Sequence, residues 1–281
     1  MIRIITDSTC DLPVEIIERY GIRVMPMSIT FGEESYADGE TISLDDFYTR
    51  LQAGEFPKTS YPPLGRFVQA LDEEMAAGND VLIITLARAL SGCYDSVSVL
   101  LDEYPDDRVA VFDSQAATMA QGAVVLEAAR MVEAGVGYDE VKAAMPHIIE
   151  RSAGYGAINN LTYLARGGRI SGTAAALATA LNIKPVINIC EDGSLEVCQK
   201  VRGMSKALGW LANRIRQDGT DFSSTTLFVG YVLQREAAEQ LVEQLQKEMT
   251  LGEVIICPIG PTVGTHLGPG VVAMFYLRPE A

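Results

Sequence analysis

Three short apolar runs along the chain are each followed by a polar turn and then by a helical pattern. The runs cover residues 2–6, 81–85 and 108–112, and β-branched residues dominate them, as in strands buried on both faces. A fourth run, residues 23–31, alternates loosely and predicts one more strand. Strands that alternate with helices in this order form a parallel sheet with helices on both sides. The first part of the chain is therefore predicted to have an α/β fold.

The pattern changes near residues 154–157, where the sequence becomes small and glycine-rich. Beyond this point Asp192-Gly193 separates two strand-like runs, 185–189 and 195–200, which predicts a β-hairpin. Further strands and helices complete an α+β pattern. A chain of 281 residues commonly forms two domains of about 150 residues each. We predict an N-terminal α/β domain, residues 1–156, and a C-terminal α+β domain, residues 157–281.

Charge and cysteine usage narrow the classes of partner. The formal charge of -15 argues against nucleic acid as a standing partner and allows at most transient contact with an anionic membrane. The five cysteines are scattered without CxxC spacing, so we expect neither a disulfide framework nor a metal site. The N-terminus enters a strand pattern directly and lacks the apolar core of a signal peptide. These features predict a cytoplasmic protein.

Ser91 is the first candidate binding residue. It lies in the Leu90-Ser91-Gly92 turn after the run 81–85. In open α/β sheets ligands bind just beyond the carboxyl ends of the strands, where backbone N–H groups and a hydroxyl would meet them. On spacing alone, a serine in this place more often caps the following helix than binds a ligand. Both interpretations stay open.

Two other segments present polar side chains on restricted backbone. Thr59 and Ser60 lie in the proline-rich stretch 56–67, which predicts a stiff loop that either binds a ligand or is a solvated connection. His266 lies in GTHLGPG, predicted as a loop whose glycines allow close approach to a ligand. Arg169 and Arg202 belong to small basic clusters, which are either binding surfaces or solvated loops.

Taken together, these motifs carry a family resemblance. The chain resembles the DegV family in segments that occur in the same order from end to end: DSTCDL, KTSYPP, LSGCYDS, DSQAATMAQG, LTYLARGGRIS, LNIKPVI, DGSLEVCQKVRG and GTHLGPG. The resemblance implies a two-domain α/β protein that binds a single long-chain fatty acid in an apolar tunnel between the domains. Several family members serve as the acyl-carrier subunit of a bacterial fatty acid kinase system. They present the carboxylate to a separate ATP-dependent kinase, which forms the acyl phosphate.

The resemblance also implies roles for individual residues. Carried over by motif, the ligand-binding residues are Thr59, Ser60, Ser91, Gly92 and His266. The basic loops around Arg169 and Arg202 resemble the kinase-docking surface. The chain departs from the family at 87–92, where ARALSG replaces the frequent SSGLSG, so Arg88 is expected either near the carboxylate or in solvent.

Two alternatives remain. A carrier of another apolar carboxylate, such as a branched or retinoid-like acid, would keep the same head-group site. A hydrolase would combine Ser91 and His266 with Asp7, Asp11 or Asp113, but LSGC is not a GxSxG elbow and no acid adjoins His266 in sequence. No GxxxxGK[ST] loop is present for ATP. We therefore expect a binding subunit without catalytic residues, metal or cofactor, whose ligand is the fatty acid.

Overall fold

The computed structural model describes residues 1–105, 107–170 and 182–280. Within these ranges the strands are β1 (Ile2–Asp7), β2 (Arg23–Met25), β3 (Ser28–Phe31), β4 (Glu34–Ala37), β5 (Lys58–Ser60), β6 (Asp80–Thr85), β7 (Val109–Asp113), β8 (Ser152–Ala157), β9 (Ile183–Ile189), β10 (Leu195–Arg202), β11 (Leu227–Val232), β12 (Val254–Pro258) and β13 (Val271–Leu277). The α-helices of the same ranges are α1 (Val14–Tyr20), α2 (Leu44–Gln52), α3 (Leu64–Ala76), α4 (Cys93–Ser98), α5 (Met119–Glu133), α6 (Tyr138–Glu150), α7 (Thr162–Arg166), α8 (Met204–Gln217), α9 (Arg235–Gln246) and α10 (Pro261–Leu267). Two short 3₁₀ helices cover Ser8–Cys10 and Val99–Glu103.

Four strands form an all-parallel sheet in the order β2-β1-β6-β7. On one face of the inner strand β6, Ile83 shares a buried cluster with residues of α3 and α4. On the other face, Leu82 shares a cluster with residues of α5 and α6. A strand that is covered on both faces has no solvent side, which explains its continuous apolar sequence. The predicted parallel sheet with helices on both sides is confirmed.

The loose alternation of residues 23–31 predicted a single strand, but the structure has two. Pro26 separates β2, which belongs to the parallel sheet, from β3, which belongs to a three-stranded antiparallel sheet of order β4-β3-β5. Proline has no N–H to donate to a sheet ladder, so the chain changes sheets there. The small sheet also includes Thr59 and Ser60 in β5, where the sequence predicted an irregular loop.

The second large sheet has six strands in the order β10-β9-β8-β13-β11-β12, antiparallel except for β11 and β12. The predicted hairpin is confirmed as β9 and β10, and its turn needs Gly193 because φ there is +80°. Strand β8 pairs with β13 and β9, so residues 152–156 lie in this sheet. The division into 1–156 and 157–281 stays a prediction.

Helix α5 lies between the two large sheets. It contacts β1 and β6 of the parallel sheet and β8, β11 and β13 of the six-stranded sheet. Its first residues are buried on every side, and an added Cβ at Gly122 would lie 2.6 Å from the carbonyl oxygen of Cys10. Glycine is therefore required for this close helix packing. No helix within the described ranges is long and apolar enough to cross a bilayer.

Candidate functional site

A cavity of about 290 Å³ lies where β5, the loop after β6 and helix α10 meet. The residues that the sequence motifs single out converge on it, although they are far apart in the chain: Thr59, Ser60, Ser91, Gly92 and His266 all line its wall. Ser60 and Gly92 are exposed, so this end of the cavity opens to solvent. The fold therefore joins the three predicted segments into one pocket.

The pair Thr59 and His266 forms the centre of the polar wall. Thr59 Oγ1 lies 2.9 Å from His266 Nε2. Thr59 is held by antiparallel pairing of β5 with Ile29 in β3. The glycines around His266 predicted a loop, but the residue lies in the last turn of helix α10. Pro261 at the start of the helix and Gly268 after its end set these limits.

The His266 side chain is neutral at physiological pH. Burial and, to a smaller extent, the nearby positive charge of Arg169 together lower its pKa from the usual 6.5 to about 4. Its Nδ1 atom is buried without a hydrogen-bond partner among the described residues and packs against Gly167. A buried N–H group without an acceptor is rarer in proteins than a buried acceptor without a donor, so we assign the proton to Nε2. The Nε2–H group then donates to Thr59 Oγ1.

This assignment fixes the direction of the neighbouring hydrogen bonds. Because Thr59 Oγ1 accepts from His266, its own O–H is free to donate into the cavity. Ser91 shows the same arrangement, since its Oγ accepts from the backbone N–H of Cys93 at 3.3 Å. The N-cap of helix α4 is Gly92, so Ser91 is not the cap that the sequence left open; it accepts from the first N–H of the helix and lines the cavity.

Arg169 is part of the cavity wall, whereas the sequence grouped it with Arg202 on an outer surface. Its side chain is fixed by hydrogen bonds from Nε to the carbonyl oxygen of Leu90, at 3.0 Å, and from Nη1 to that of Gly167. Arg202 ends β10, is exposed and does not line this cavity. The two arginines thus occupy different environments, and the docking role predicted for both stays a prediction.

Arg88 is directed away from the cavity. Its Nε lies 2.8 Å from Asp95 Oδ1, and both side chains are more than half exposed. Of the two placements that the sequence left open, the structure shows the solvent one. Arg169 is therefore the arginine that faces the polar pocket.

An apolar cavity, here called the apolar extension, adjoins the polar pocket. A second cavity of about 50 Å³ shares Ala117, Leu195, Val263 and Leu267 with the first. Its remaining wall comes mainly from the inner strands of the six-stranded sheet, including Ile187 and Phe275. A polar cavity next to an apolar one suits a ligand with a polar head and an apolar tail.

The carboxylates proposed for a hydrolase triad are used elsewhere. Asp7 is fully buried and accepts from the backbone N–H of Leu86 at 2.8 Å, and burial raises its pKa. Asp11 accepts from the N–H of Gly260 at 3.0 Å, and Asp113 accepts from the N–H of Arg88 at 3.0 Å. None of these carboxylates has a hydrogen bond to His266. The geometry does not provide the relay that a serine hydrolase requires.

Asp38 is a site residue that the sequence argument missed. Its Oδ2 accepts from the backbone N–H of Thr262 at 3.2 Å and from the hydroxyl of Ser8 at 3.1 Å, and it also pairs with the hydroxyl of Thr262. Thr262 lies in the first turn of helix α10 and lines the cavity. Asp38 thus fixes the helix that carries His266. No sequence signal marks it, because its partners lie 30 and 224 residues away.

No group of three or more His, Cys, Asp or Glu side chains within the described ranges is arranged to hold a metal ion. The polar pocket itself contains hydroxyls, one imidazole and one guanidinium. Such donors suit an anionic oxygen ligand better than a cation.

Comparison with known proteins gives consistent results along the whole chain. A family model described as "Uncharacterised protein, DegV family" matches residues 1–279. A DegV domain-containing protein of Caldanaerobacter subterraneus is 33% identical over 275 residues, which are 98% of each chain. A DegV family protein from Thermus thermophilus, described by its fatty acid binding, has a TM-score of 0.91 and 30% identity over 99% of both chains. A stearic acid-binding protein from Eubacterium ventriosum has a TM-score of 0.88 and 26% identity over 99% of this chain and 98% of its own.

Proposed function

The chain belongs to the DegV family, and on this basis we propose that it binds a single long-chain fatty acid in an apolar tunnel. The observation that carries the proposal is the arrangement of the cavity. Hydroxyl, imidazole and guanidinium groups meet at its open end, and apolar side chains continue inward from there. Structures of related proteins described as binding fatty acids support the same ligand class.

The head group is proposed to lie between Thr59, Ser91 and Arg169. The hydroxyls of Thr59 and Ser91 each keep a free O–H to donate to a carboxylate oxygen, and His266 fixes the first of them. A buried carboxylate without partners costs several kcal/mol, so these donors are needed when the acid leaves water. The guanidinium of Arg169 supplies the opposite charge, and its fixed position avoids the entropy loss of ordering a long side chain.

Most of the affinity is assigned to the tail. Burial of one methylene contributes about 0.8 kcal/mol, so fourteen carbons contribute roughly 11 kcal/mol before the losses of association are subtracted. The two adjacent cavities, about 290 and 50 Å³, together fall near the lower end of the range of about 300–1,000 Å³ for ligand sites. The head group therefore orients the ligand, and the tail retains it.

We further propose that the protein is the lipid-binding subunit of a bacterial fatty acid kinase system. A separate ATP-dependent kinase would transfer the terminal phosphoryl group of ATP to the bound carboxylate. One carboxylate oxygen forms the new bond to phosphorus as the bond to ADP breaks, and the acyl phosphate can then enter phospholipid synthesis. The exposed rim at Ser60 and Gly92 gives a partner access to the carboxylate. We propose that the complex works in the cytoplasm, where ATP is available to the kinase.

The two basic residues have separate parts in this proposal. Arg169 lines the pocket and is proposed to stabilise the negative charge of the acyl phosphate. Arg202 is exposed at the end of β10 and is proposed as a contact for the kinase. In a chain of net charge -15, an exposed arginine offers a local site for an acidic partner.

The test is the identity of the molecule that the protein retains. Native mass spectrometry of purified protein is expected to show a single adduct, and solvent extraction should release one fatty acid per chain. Release of a branched or retinoid-like acid would assign another apolar carboxylate. Protein that stays empty and binds no added C14 to C18 acid would overturn the proposal, and labelling of Ser91 by a fluorophosphonate would favour the hydrolase.

A further inference from the structure

The inner end of the apolar cavity lies next to a separate polar cleft. The cleft has a volume of about 680 Å³ and is lined by carboxylates such as Glu150 and Glu196. Asn188 and Ile189 belong to the walls of both the cleft and the small apolar cavity. One layer of side chains therefore separates the apolar end of the tunnel from a space open to water.

Ile189 is the apolar member of this layer. It is the last residue of β9 and pairs with Leu195 of β10, which lines the polar pocket and the apolar extension alike. Its half-buried side chain faces an environment that is apolar on one side and polar on the other. Asn188 is held by a hydrogen bond from Nδ2 to Glu196 Oε1 at 3.1 Å.

Gly154 explains how the layer closes. It lies in β8 directly opposite Phe275 of β13. An added Cβ at Gly154 would lie 2.7 Å from Ile189 Cδ1 and 2.9 Å from Phe275 Cδ1. The two side chains thus fill the space over the bare glycine backbone and close the end of the cavity.

On the basis of the proposed function, we propose that Ile189 sets the longest acyl chain that the protein accepts. A tail that reaches this layer has no apolar space left, and further methylenes must displace the Ile189 side chain. Affinity then stops rising with chain length and falls. Without the side chain beyond Cβ, the tunnel opens into the cleft, and the extra methylenes pass into a space with room for them.

The experiment compares Ile189→Ala with Ile187→Ala in the full chain. Both variants lose the same atoms from the wall of the apolar cavity, but Ile187 is buried and does not line the cleft. Displacement of a fluorescent fatty acid by saturated acids from C14 to C24 gives the dissociation constants, and thermal melting confirms that each variant folds. The quantity of interest is the ratio of the constants for C22 and C16.

In Ile189→Ala this ratio is expected to fall at least about tenfold below that of the wild type, because the longer acid no longer has to displace the Ile189 side chain. In Ile187→Ala it should change less than about threefold. An unchanged ratio in Ile189→Ala, or an equal fall in both variants, would overturn the inference. Failure of the wild type to bind C16 would instead overturn the proposed function, so the two failures are distinguishable.

Discussion

Replacement of Thr59 by valine is expected to weaken fatty acid binding by about 10- to 150-fold. Valine keeps the shape of threonine and suits a β-strand, but it lacks the hydroxyl that lies 2.9 Å from His266 Nε2. The carboxylate loses one charge-assisted hydrogen bond, which contributes about 1.5–3 kcal/mol, and this range corresponds to the stated loss of affinity. The tail contacts are unchanged, so binding remains measurable.

The same substitution is expected to destabilise the ligand-free protein. The Nε2–H group of His266 loses its acceptor in a buried site, which costs about 1–3 kcal/mol. A threonine that served only as a surface residue of β5 would show neither effect. The combined loss of ligand affinity and of unfolding free energy therefore identifies Thr59 as the link between histidine and ligand.

Calorimetric titration of a C16 acid and denaturant unfolding of ligand-free protein measure the two quantities. Thr59→Ser should restore both, because it keeps the hydroxyl. Thr30→Val is the matched control, since Thr30 lies in β3 opposite Lys58 and does not line the cavity. The reasoning is refuted if Thr59→Val binds the acid within about twofold of wild type, or if Thr30→Val weakens binding equally.

Three further predictions concern the groups around this pair. Because the pKa of His266 falls from 6.5 in the unfolded chain to about 4 in the native state, His266 costs stability as the pH falls from 6.5 to 4. From the linkage relation, His266→Gln should lose about 2 kcal/mol less unfolding free energy than wild type between pH 7 and pH 4.5 in denaturant unfolding, and equal losses would contradict this. Arg169→Gln should weaken C16 binding and raise the pKa of His266. NMR titration can measure that pKa because the chain has only two histidines. Arg202→Gln should leave C16 binding and the pKa of His266 unchanged and reduce only kinase-coupled turnover. Asp38→Asn should speed hydrogen exchange of the Thr262 amide and lower the unfolding free energy by about 1.5–3 kcal/mol, and unaltered exchange would show that Asp38 does not fix helix α10.

Local patterns were sufficient for the elements that are specified by nearby residues. The strand β6 and the hairpin at Gly193 were predicted because buried apolar runs and turn residues act over a few positions. The sequence did not predict that His266 lies in a helix, because α10 has only seven residues and contains Gly264. An added Cβ at Gly264 would collide with the hydroxyl of Tyr48, so distant packing selects the glycine that local propensity disfavours.

The candidate site shows the same distinction. Motifs singled out Thr59, Ser91 and His266, and the fold brings them to one cavity. The place of Arg169 in that cavity depends on a hydrogen bond to Leu90, 79 residues away, which no spacing in the sequence indicates. Periodicity cannot register such a contact, because it exists only after the loops have met.

Helix α5 has a consequence for how the molecule unfolds. The same helix covers strands of the parallel sheet and strands of the six-stranded sheet, and residues of both sheets belong to one buried cluster with it. Loss of either sheet would leave an apolar face of α5 in water, at a cost that rises with the exposed area. The two sheets are therefore expected to melt together in one cooperative transition, and a fragment that ends before β8 should not reach the native state by itself.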